Sequence, residues 1–313
     1  MLYIYTKKPN NYFSKEFLKE LGRFLFKKSR GPMAVNESLI RGLNELGIEY
    51  SLNDKQPKLD GSEIFFINSS LDALKWATDL KKKGKIKKLV AGPNLVVMPS
   101  DFNGIILSKE IDIIILPSDW VKRFWLASGF NLIEKIRIWP AGVKDDGIKD
   151  NEKKKVLFYK KNISNEVYLM VKNLLKKLNI NFEEIIYGKF SRNNYLKKLD
   201  KSSFLIYLQE SESQGLSLLE AWMKNVSTFV FNRNYFKKNE IKIYGKDIAA
   251  PYLHESCGAF FENEEILQKL ISDLFSGISK YSPRNYYLSE FTDKICAKKL
   301  MKIIYEEKYE NIN

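Results

Sequence analysis

With two cysteines, one histidine and no long apolar run, a chain of 313 residues leaves several chemistries out. Cys257 and Cys296 are too few for a disulfide framework or a zinc cluster, and their scarcity points to a reducing, cytoplasmic setting. His254 stands alone, so no multi-histidine centre is expected, and a single histidine more often serves as a surface or hydrogen-bonded residue than as a catalyst. Cys257 has no paired His and Asn arrangement that would make it a nucleophile. No Asp-x-Asp occurs, the pattern that would hold a metal on a diphosphate; Glu110-Ile111-Asp112 comes nearest and reads as the solvated entry to an apolar strand. Metal independence follows as an expectation. No apolar run nears the ~18 residues of a membrane span, and Met1–Thr6 gives way at once to Lys7, Lys8 and Pro9, unlike a secretory leader. The chain reads as soluble, or peripheral at the inner face of a membrane.

Positive charge is plentiful: 52 Lys and Arg stand against 38 Asp and Glu, a net charge of +14. Such an excess raises the prospect of a polyanionic partner, whether nucleic acid, anionic lipid or nucleotide. The lysines are nevertheless spread in short runs, Lys81–Lys83, Lys153–Lys155 and Lys197–Lys198, and no nucleic-acid motif accompanies them, so nucleic acid is not expected. Length suggests two domains, and a hydrophobic content of 44% is ample for two cores.

The order of apolar runs shapes the fold expectation. Leu2–Tyr5, Ile64–Asn68, Leu89–Ala91, Ile113–Leu116 and Ile136–Trp139 read as strands, alternating with helices over Met33–Leu46, Leu71–Lys83 and Trp120–Ser128. A second alternation starts at Val156–Tyr159 and continues through helix 165–178, strand 184–187, helix 192–199, strand 204–208, a helix from Leu216, strand 228–231, strand 259–261 and helix 264–275. Two βα-alternating halves imply two Rossmann-like parallel sheets. The polar stretch 144–152 has a linker's composition. The expected division is 1–148, 149–285, and a C-terminal helical segment 286–313.

Most of the chemistry sits in Gln209-Glu210-Ser211-Glu212-Ser213-Gln214-Gly215-Leu216-Ser217-Leu218-Leu219-Glu220-Ala221-Trp222. A buried-strand run precedes it, helical spacing follows it, and Glu212 and Glu220 lie eight positions apart across a Gly-containing turn. In an open α/β sheet the loop at the carboxyl end of a strand faces the ligand crevice, and the next helix N-terminus offers N–H groups to an anion. Gly31-Pro32, after the basic Lys27-Lys28-Ser29-Arg30, reads either as a simple turn with Pro at the first helical position or as a ligand loop.

These residues resemble the Glu-x7-Glu signature of retaining, GT-B-fold glycosyltransferases of the family 4 (group 1) type. Glu220-Ala221-Trp222-Met223-Lys224-Asn225-Val226-Ser227-Thr228-Phe229-Val230 is similar to that family's Glu-Ala-x-x-x-Gly-x-Pro-x-Val run, with Asn225 at the Gly and Ser227 at the Pro position. Leu116-Pro117-Ser118-Asp119-Trp120 is similar to its Pro-Ser-x-Trp/Phe segment, and Ile136–Val143 to its interdomain strand. The resemblance implies a GT-B fold, two Rossmann-like parallel-sheet domains facing a central cleft that closes by hinge motion near 143–153, with the last helix crossing back to the first domain.

It further implies a retaining, hexosyltransferase-type enzyme that moves a sugar from a nucleotide-diphosphate sugar, its co-substrate rather than a cofactor, to a glycan or lipid-linked acceptor, as in polysaccharide biosynthesis. An anionic membrane surface is a further implied partner. Glu212 would contact the donor sugar and act with Lys161 in catalysis. Lys160 or Lys161 would meet the pyrophosphate, with Tyr159 at the family's usual Gly. Ser213, Gln214, Gly215 and Leu216 would line the donor, Glu220 would bind the ribose diol, and Gly31 would belong to the Gly-rich loop of the first domain. The histidine that family members place in the first domain has no counterpart in 1–150. A nucleotide-sugar epimerase of the same fold, or a sugar-nucleotide binding protein without turnover, are the alternatives.

Overall fold

Apolar runs such as Ile64-Phe65-Phe66-Ile67 and Ile113-Ile114-Ile115-Leu116 are buried along their whole length, as strands of a parallel sheet covered on both faces must be. They lie in a computed structural model that describes residues 1–9, 31–149 and 155–305. The chain divides into two units, one of Met1–Gly142 with Asp293–Asn313 and one of Val143–Thr292.

The first unit contains β1 (Leu2–Tyr5), α1 (Gly31–Glu45), β2 (Tyr50–Leu52), β3 (Ile64–Ile67), α2 (Leu71–Lys82), β4 (Lys88–Ala91), β5 (Ile113–Leu116), α3 (Asp119–Ala127) and β6 (Ile136–Ile138). Its sheet runs β2-β1-β3-β4-β5-β6, every pair parallel. Ser70 caps α2 by accepting from Ala73 N, and Tyr5, Phe65 and Trp76 pack ring against ring with centroids 5.0–5.5 Å apart. Strand β2 was not anticipated: it is three residues long and only half-buried, too short for a periodic signal.

The second unit contains β7 (Lys155–Lys160), α4 (Asn165–Lys177), β8 (Phe182–Ile186), α5 (Arg192–Leu199), β9 (Ser202–Leu208), α6 (Leu216–Met223), β10 (Ser227–Phe231), β11 (Tyr235–Lys238), β12 (Ile241–Tyr244), β13 (Gly258–Phe261), α7 (Glu264–Phe275) and α8 (Pro283–Glu290). Five strands form a parallel sheet, β13-β10-β9-β7-β8, and β11 and β12 form a separate antiparallel hairpin. Phe158, Phe204, Ile206 and Phe229 meet Leu174 and Leu175 of α4 and Leu267 and Ile271 of α7 in one apolar cluster. Two Rossmann-like parallel sheets are thus present.

The units part at Gly142/Val143, ahead of the polar stretch whose composition suggested a boundary at 148/149. Residues 143–147 are not a loose linker. Tyr287 donates to Val143 O at 2.9 Å, Arg284 pairs with Asp145 at 2.8 Å, Arg192 with Asp146 at 3.0 Å, and Lys224 donates to Gly147 O at 2.8 Å. The acidic pair that looked like linker composition is what the second unit's cations hold.

The C-terminal helical segment expected from 286 onward is two helices among the described residues: α8 stays in the second unit, and α9 (Asp293–Tyr305) belongs to the first. Three contacts hold α9 there. Trp139 Nε1 donates to Cys296 O at 2.8 Å, Arg41 Nε pairs with Asp293 Oδ2 at 2.6 Å, and Lys88 Nζ donates to Ile304 O at 2.8 Å. Gly42 lets α1 approach, since a Cβ there would stand 2.1 Å from Asp293 O and 2.6 Å from Ala297 Cβ. Gly42→Leu should therefore cost about 2–3 kcal/mol through overpacking and expose residues 293–305 to protease. Urea unfolding with limited proteolysis checks this, and a variant indistinguishable from wild type would refute the close-packing role of Gly42.

Candidate functional site

From β7 the chain crosses to β8 on one side of the second sheet and then returns to β9 on the other. Connections that leave in opposite directions open a crevice outside the carboxyl ends of the strands. The ends are level there, because Lys160 is the register partner of Leu208 and Lys161 N donates to Leu208 O at 2.9 Å. Lys161 and the loop 209–215 therefore emerge side by side.

Glu212 occupies the centre of this edge. Its Oε2 lies 3.1 Å from Lys161 Nζ and 3.1 Å from the Tyr207 hydroxyl, and its Oε1 accepts from Gln214 N at 3.4 Å. Its own N–H donates to Ile248 O at 2.8 Å, fixing the loop from behind. Burial pushes the Glu212 carboxyl up, but the Lys161 ammonium and the surrounding hydrogen bonds outweigh it and hold the group below its ordinary value. It stays charged.

The Tyr207 hydroxyl also lies 2.9 Å from Gln209 Oε1, so its one phenolic proton is shared between that amide oxygen and Glu212, and it lies 3.1 Å from Ser217 Oγ, a hydroxyl able to donate back to it. Burial, with the Glu212 charge beside it, keeps Tyr207 protonated far above neutrality. Tyr159 stacks on Tyr207 with ring centroids 4.7 Å apart. A buried tyrosine pair thus floors the crevice beneath the carboxylate.

The two lysines part company, Lys160 as the last residue of β7 and Lys161 in the bend beyond it. Lys161 Nζ lies 4.5 Å from the centre of the Tyr187 ring and turns to Glu212. Lys160 Nζ sits 3.8 Å from the Tyr168 ring on α4. Only Lys161 joins the cluster.

Gly215 precedes α6 with φ +70, and a Cβ there would meet nothing nearer than Pro251 at 3.8 Å. Conformation, not space, calls for glycine at this turn. Gln214 is buried, Leu216 is half-buried and Ser213 is exposed. Further along α6, Glu220 is buried and bound at Oε1 by Arg192 Nε, the first residue of α5, whose Nη1 lies 3.0 Å from Asp146 Oδ2. Burial and then Asp146 push the Glu220 carboxyl up, and Arg192 opposes them without cancelling them. Asn225, in the place of a glycine, adopts φ +54 and accepts from Arg284 N at 3.3 Å.

Gly31 lies in the first unit as the exposed first residue of α1, where a Cβ would meet open space. The basic stretch 27–30 before it falls outside the described residues. His254 stacks on Tyr286 at 4.7 Å with Nδ1 2.9 Å from Ser256 Oγ. Burial pushes the neighbouring Cys257 thiol up to about 12, so it carries no thiolate at neutral pH.

Sequence reading did not find Tyr207, Tyr187, Arg192 or Asp146. Tyr207 was hidden in an apolar run that counts as core, and Arg192 and Asp146 lie 46 residues apart with no spacing to link them.

The opposed shifts of Glu212 and Glu220 give opposite pH signatures. Glu212 loses its proton more readily folded than unfolded, so it stabilises the fold above the ordinary Glu range, and that contribution fades as pH falls through its depressed folded value. Glu220 holds its proton more tightly folded, so it favours the fold in acid and loses that contribution as pH rises through its raised value. Glu212→Gln should cost about 2 kcal/mol at neutral pH, less with acidification, whereas the cost of Glu220→Gln should not shrink in acid. Denaturant melts over a pH series test this; a Glu212→Gln cost independent of pH would refute it.

No family model matches the chain, and no curated protein matches it. Solved structures do. The lipopolysaccharide outer core galactosyltransferase WaaB, in apo form, is 12% identical over 98% of this chain and 100% of its own, with TM-score 0.58. The catalytic domain of starch synthase IV from Arabidopsis thaliana, bound to ADP and acarbose, is 10% identical over 87% of this chain and 76% of its own, with TM-score 0.52. TarM of S. aureus, in a complex that includes UDP, is 14% identical over 86% of this chain and 58% of its own, with TM-score 0.50. The chain shares the GT-B fold of these glycosyltransferases.

Proposed function

We propose that the chain is a retaining, metal-independent glycosyltransferase that moves a hexose from a nucleoside-diphosphate sugar to a glycan or lipid-linked acceptor. The observation that carries the reading is the Lys161–Glu212 pair at the level carboxyl ends of β7 and β9, held over Tyr207. An ammonium and a charged carboxylate in one crevice fit the two ends of a sugar diphosphate. Lys161 and the first N–H groups of α6 meet the pyrophosphate, where charge grows as the leaving group departs. Glu212, its carboxylate oriented by Lys161, Tyr207 and the Gln214 amide, accepts from sugar hydroxyls. Glu220, steadied by Arg192, takes the ribose diol, with Gly215 and Leu216 between them. The bond from the anomeric carbon to the diphosphate breaks, the acceptor oxygen bonds on the same face, and the acceptor's proton passes to the departing phosphate oxygen.

The relatives solved with UDP and with ADP support a nucleoside diphosphate as the donor's leaving half. The absence of Asp-x-Asp from the sequence supports lysine and helix dipoles, not a metal, as the countercharge. An acceptor rich in hydroxyls suits the first unit. Beyond β3 and β4, Asn94 Nδ2 donates to Asn68 Oδ1 at 3.0 Å and Asn68 Nδ2 to Asn36 Oδ1, an uncharged carboxamide chain.

Calorimetry with UDP, GDP and ADP should show saturable binding of one of them. Lys161→Ala should weaken it roughly tenfold to a hundredfold, the worth of a charge-assisted hydrogen bond, and Glu220→Ala should weaken it also. Acceptor-dependent release of the diphosphate from its sugar is then the expected activity. Donor turnover without acceptor would instead make the chain an epimerase or hydrolase, and binding without turnover a sugar-nucleotide binding protein. Absence of binding to all three would remove the donor-site assignment.

A further inference from the structure

Between β10 and β13 the chain leaves the parallel sheet to form the β11–β12 hairpin. Tyr235 faces Tyr244, Phe236 faces Ile243, Lys237 faces Lys242, and Lys238 faces Ile241. Alternation sorts these into two faces. Phe236, Lys238, Ile241 and the buried Ile243 share one. Tyr235, Lys237, Lys242 and Tyr244 share the other, where both lysines are exposed and Tyr244 is 62% exposed.

The second face carries no carboxylate. Lys237 and Lys242 are direct cross-strand partners, an arrangement of like charges that destabilises a hairpin standing alone. Rings occupy the rest. Lys242 Nζ lies 4.4 Å from the Tyr235 ring centre and 4.8 Å from that of Tyr244, and the Arg233 guanidinium carbon lies 4.1 Å from Tyr235. At its base the hairpin is tied to the loop that bears Glu212, because Arg233 Nη1 pairs with Glu210 Oε2 at 2.8 Å.

We propose that this face docks the protein on an anionic lipid surface. Lysine ammoniums on apolar stems meet headgroup phosphates while the tyrosines set apolar rings and polar hydroxyls at the boundary with water. The chemistry disfavours the other polyanions. Single-stranded nucleic acid is held by bases stacked on open aromatic faces, and here cations already lie over both rings. A small free anion needs converging donors in a concave site, whereas these lysines project from an exposed ribbon. Docking through the hairpin would bring the Glu212 loop, joined to it through Glu210, near a lipid-borne acceptor. The lipid binding itself stands independently of sugar transfer and is tested without donor or acceptor.

Co-sedimentation of the full chain with phosphatidylcholine vesicles, with and without phosphatidylglycerol, tests the proposal. Wild type should partition onto the anionic vesicles only. Lys237→Gln/Lys242→Gln should lower the partition coefficient roughly thirtyfold, the worth of two lysines at such a surface. Lys82→Gln/Lys83→Gln removes the same charge from the first unit and should leave it within about twofold. Tyr244→Ser, at an exposed position that leaves the fold unchanged, should also lower it, and equal melting temperatures certify all three variants. Wild type that stays in solution overturns the proposal, as does equal loss from both lysine pairs. Hairpin-dependent retention on a single-stranded oligonucleotide with none on vesicles would replace lipid by nucleic acid and overturn it as well.

Discussion

Lys160 pairs with Leu208 at the last register position of β7 and β9, and the arrangement of the second unit's carboxyl edge depends on that alignment. Strands that end level deliver Lys161 and the 209–215 loop to the same height. A slip of one residue would turn Tyr159 and Tyr207 away from each other, since side chains alternate faces. With the register fixed, Tyr159 stacks on Tyr207, Tyr207 reaches Glu212, and Glu212 reaches Lys161. A long-range charge pair, 51 residues apart in sequence, thus rests on ordinary strand pairing.

A similar logic governs how the chain returns to its first unit. Arg41 and Gly42 are neighbours on α1, and each does something different at the start of α9: the guanidinium captures Asp293, and the missing side chain lets the Asp293 carbonyl approach. Asp293 is buried, so its charge has to be met. In the second unit the same problem appears around 143–147, where Asp145 and Asp146 are met by Arg284 and Arg192. Acidic residues that read as solvated linker in one dimension are thus anchoring points in three.

Much of the fold was legible because parallel strands are buried on both faces and announce themselves as unbroken apolar runs; β1, β5, α5 and α7 carry the bounds read from sequence. Glu212, Gly215 and Glu220 were legible because a strand–loop–helix pattern and its carboxylates are local. The hairpin was not, although Phe236, Ile241 and Ile243 do alternate with polar residues, because lysines fill the other positions and mask a strand as a solvated run. Arg192 and Asp146 were out of reach for another reason. Their meeting with Glu220 is tertiary, and no local pattern encodes it. The choice between Lys160 and Lys161 also needed the structure: Lys160 ends β7 and Lys161 lies in the bend beyond it, and only the packing of Tyr168 and Glu212 shows which way each turns.

Glu212 and Glu220 share one loop and helix, yet their surroundings push their carboxyl groups in opposite directions. Both are buried, and burial alone raises both. Around Glu212 the Lys161 ammonium, the Tyr207 hydroxyl and a backbone N–H converge, so the ionised form wins. Around Glu220 a single guanidinium serves two carboxylates, and Asp146 works against it. A cationic ligand group is therefore not needed at Glu212, which already holds its charge, and neutral hydroxyl donors suit it better. At Glu220 additional hydrogen-bond donors would favour the charged form that burial penalises. A vicinal diol supplies two such donors without adding charge, and this energetic asymmetry, more than the spacing of the two glutamates, distinguishes the sugar end from the ribose end in the proposed site.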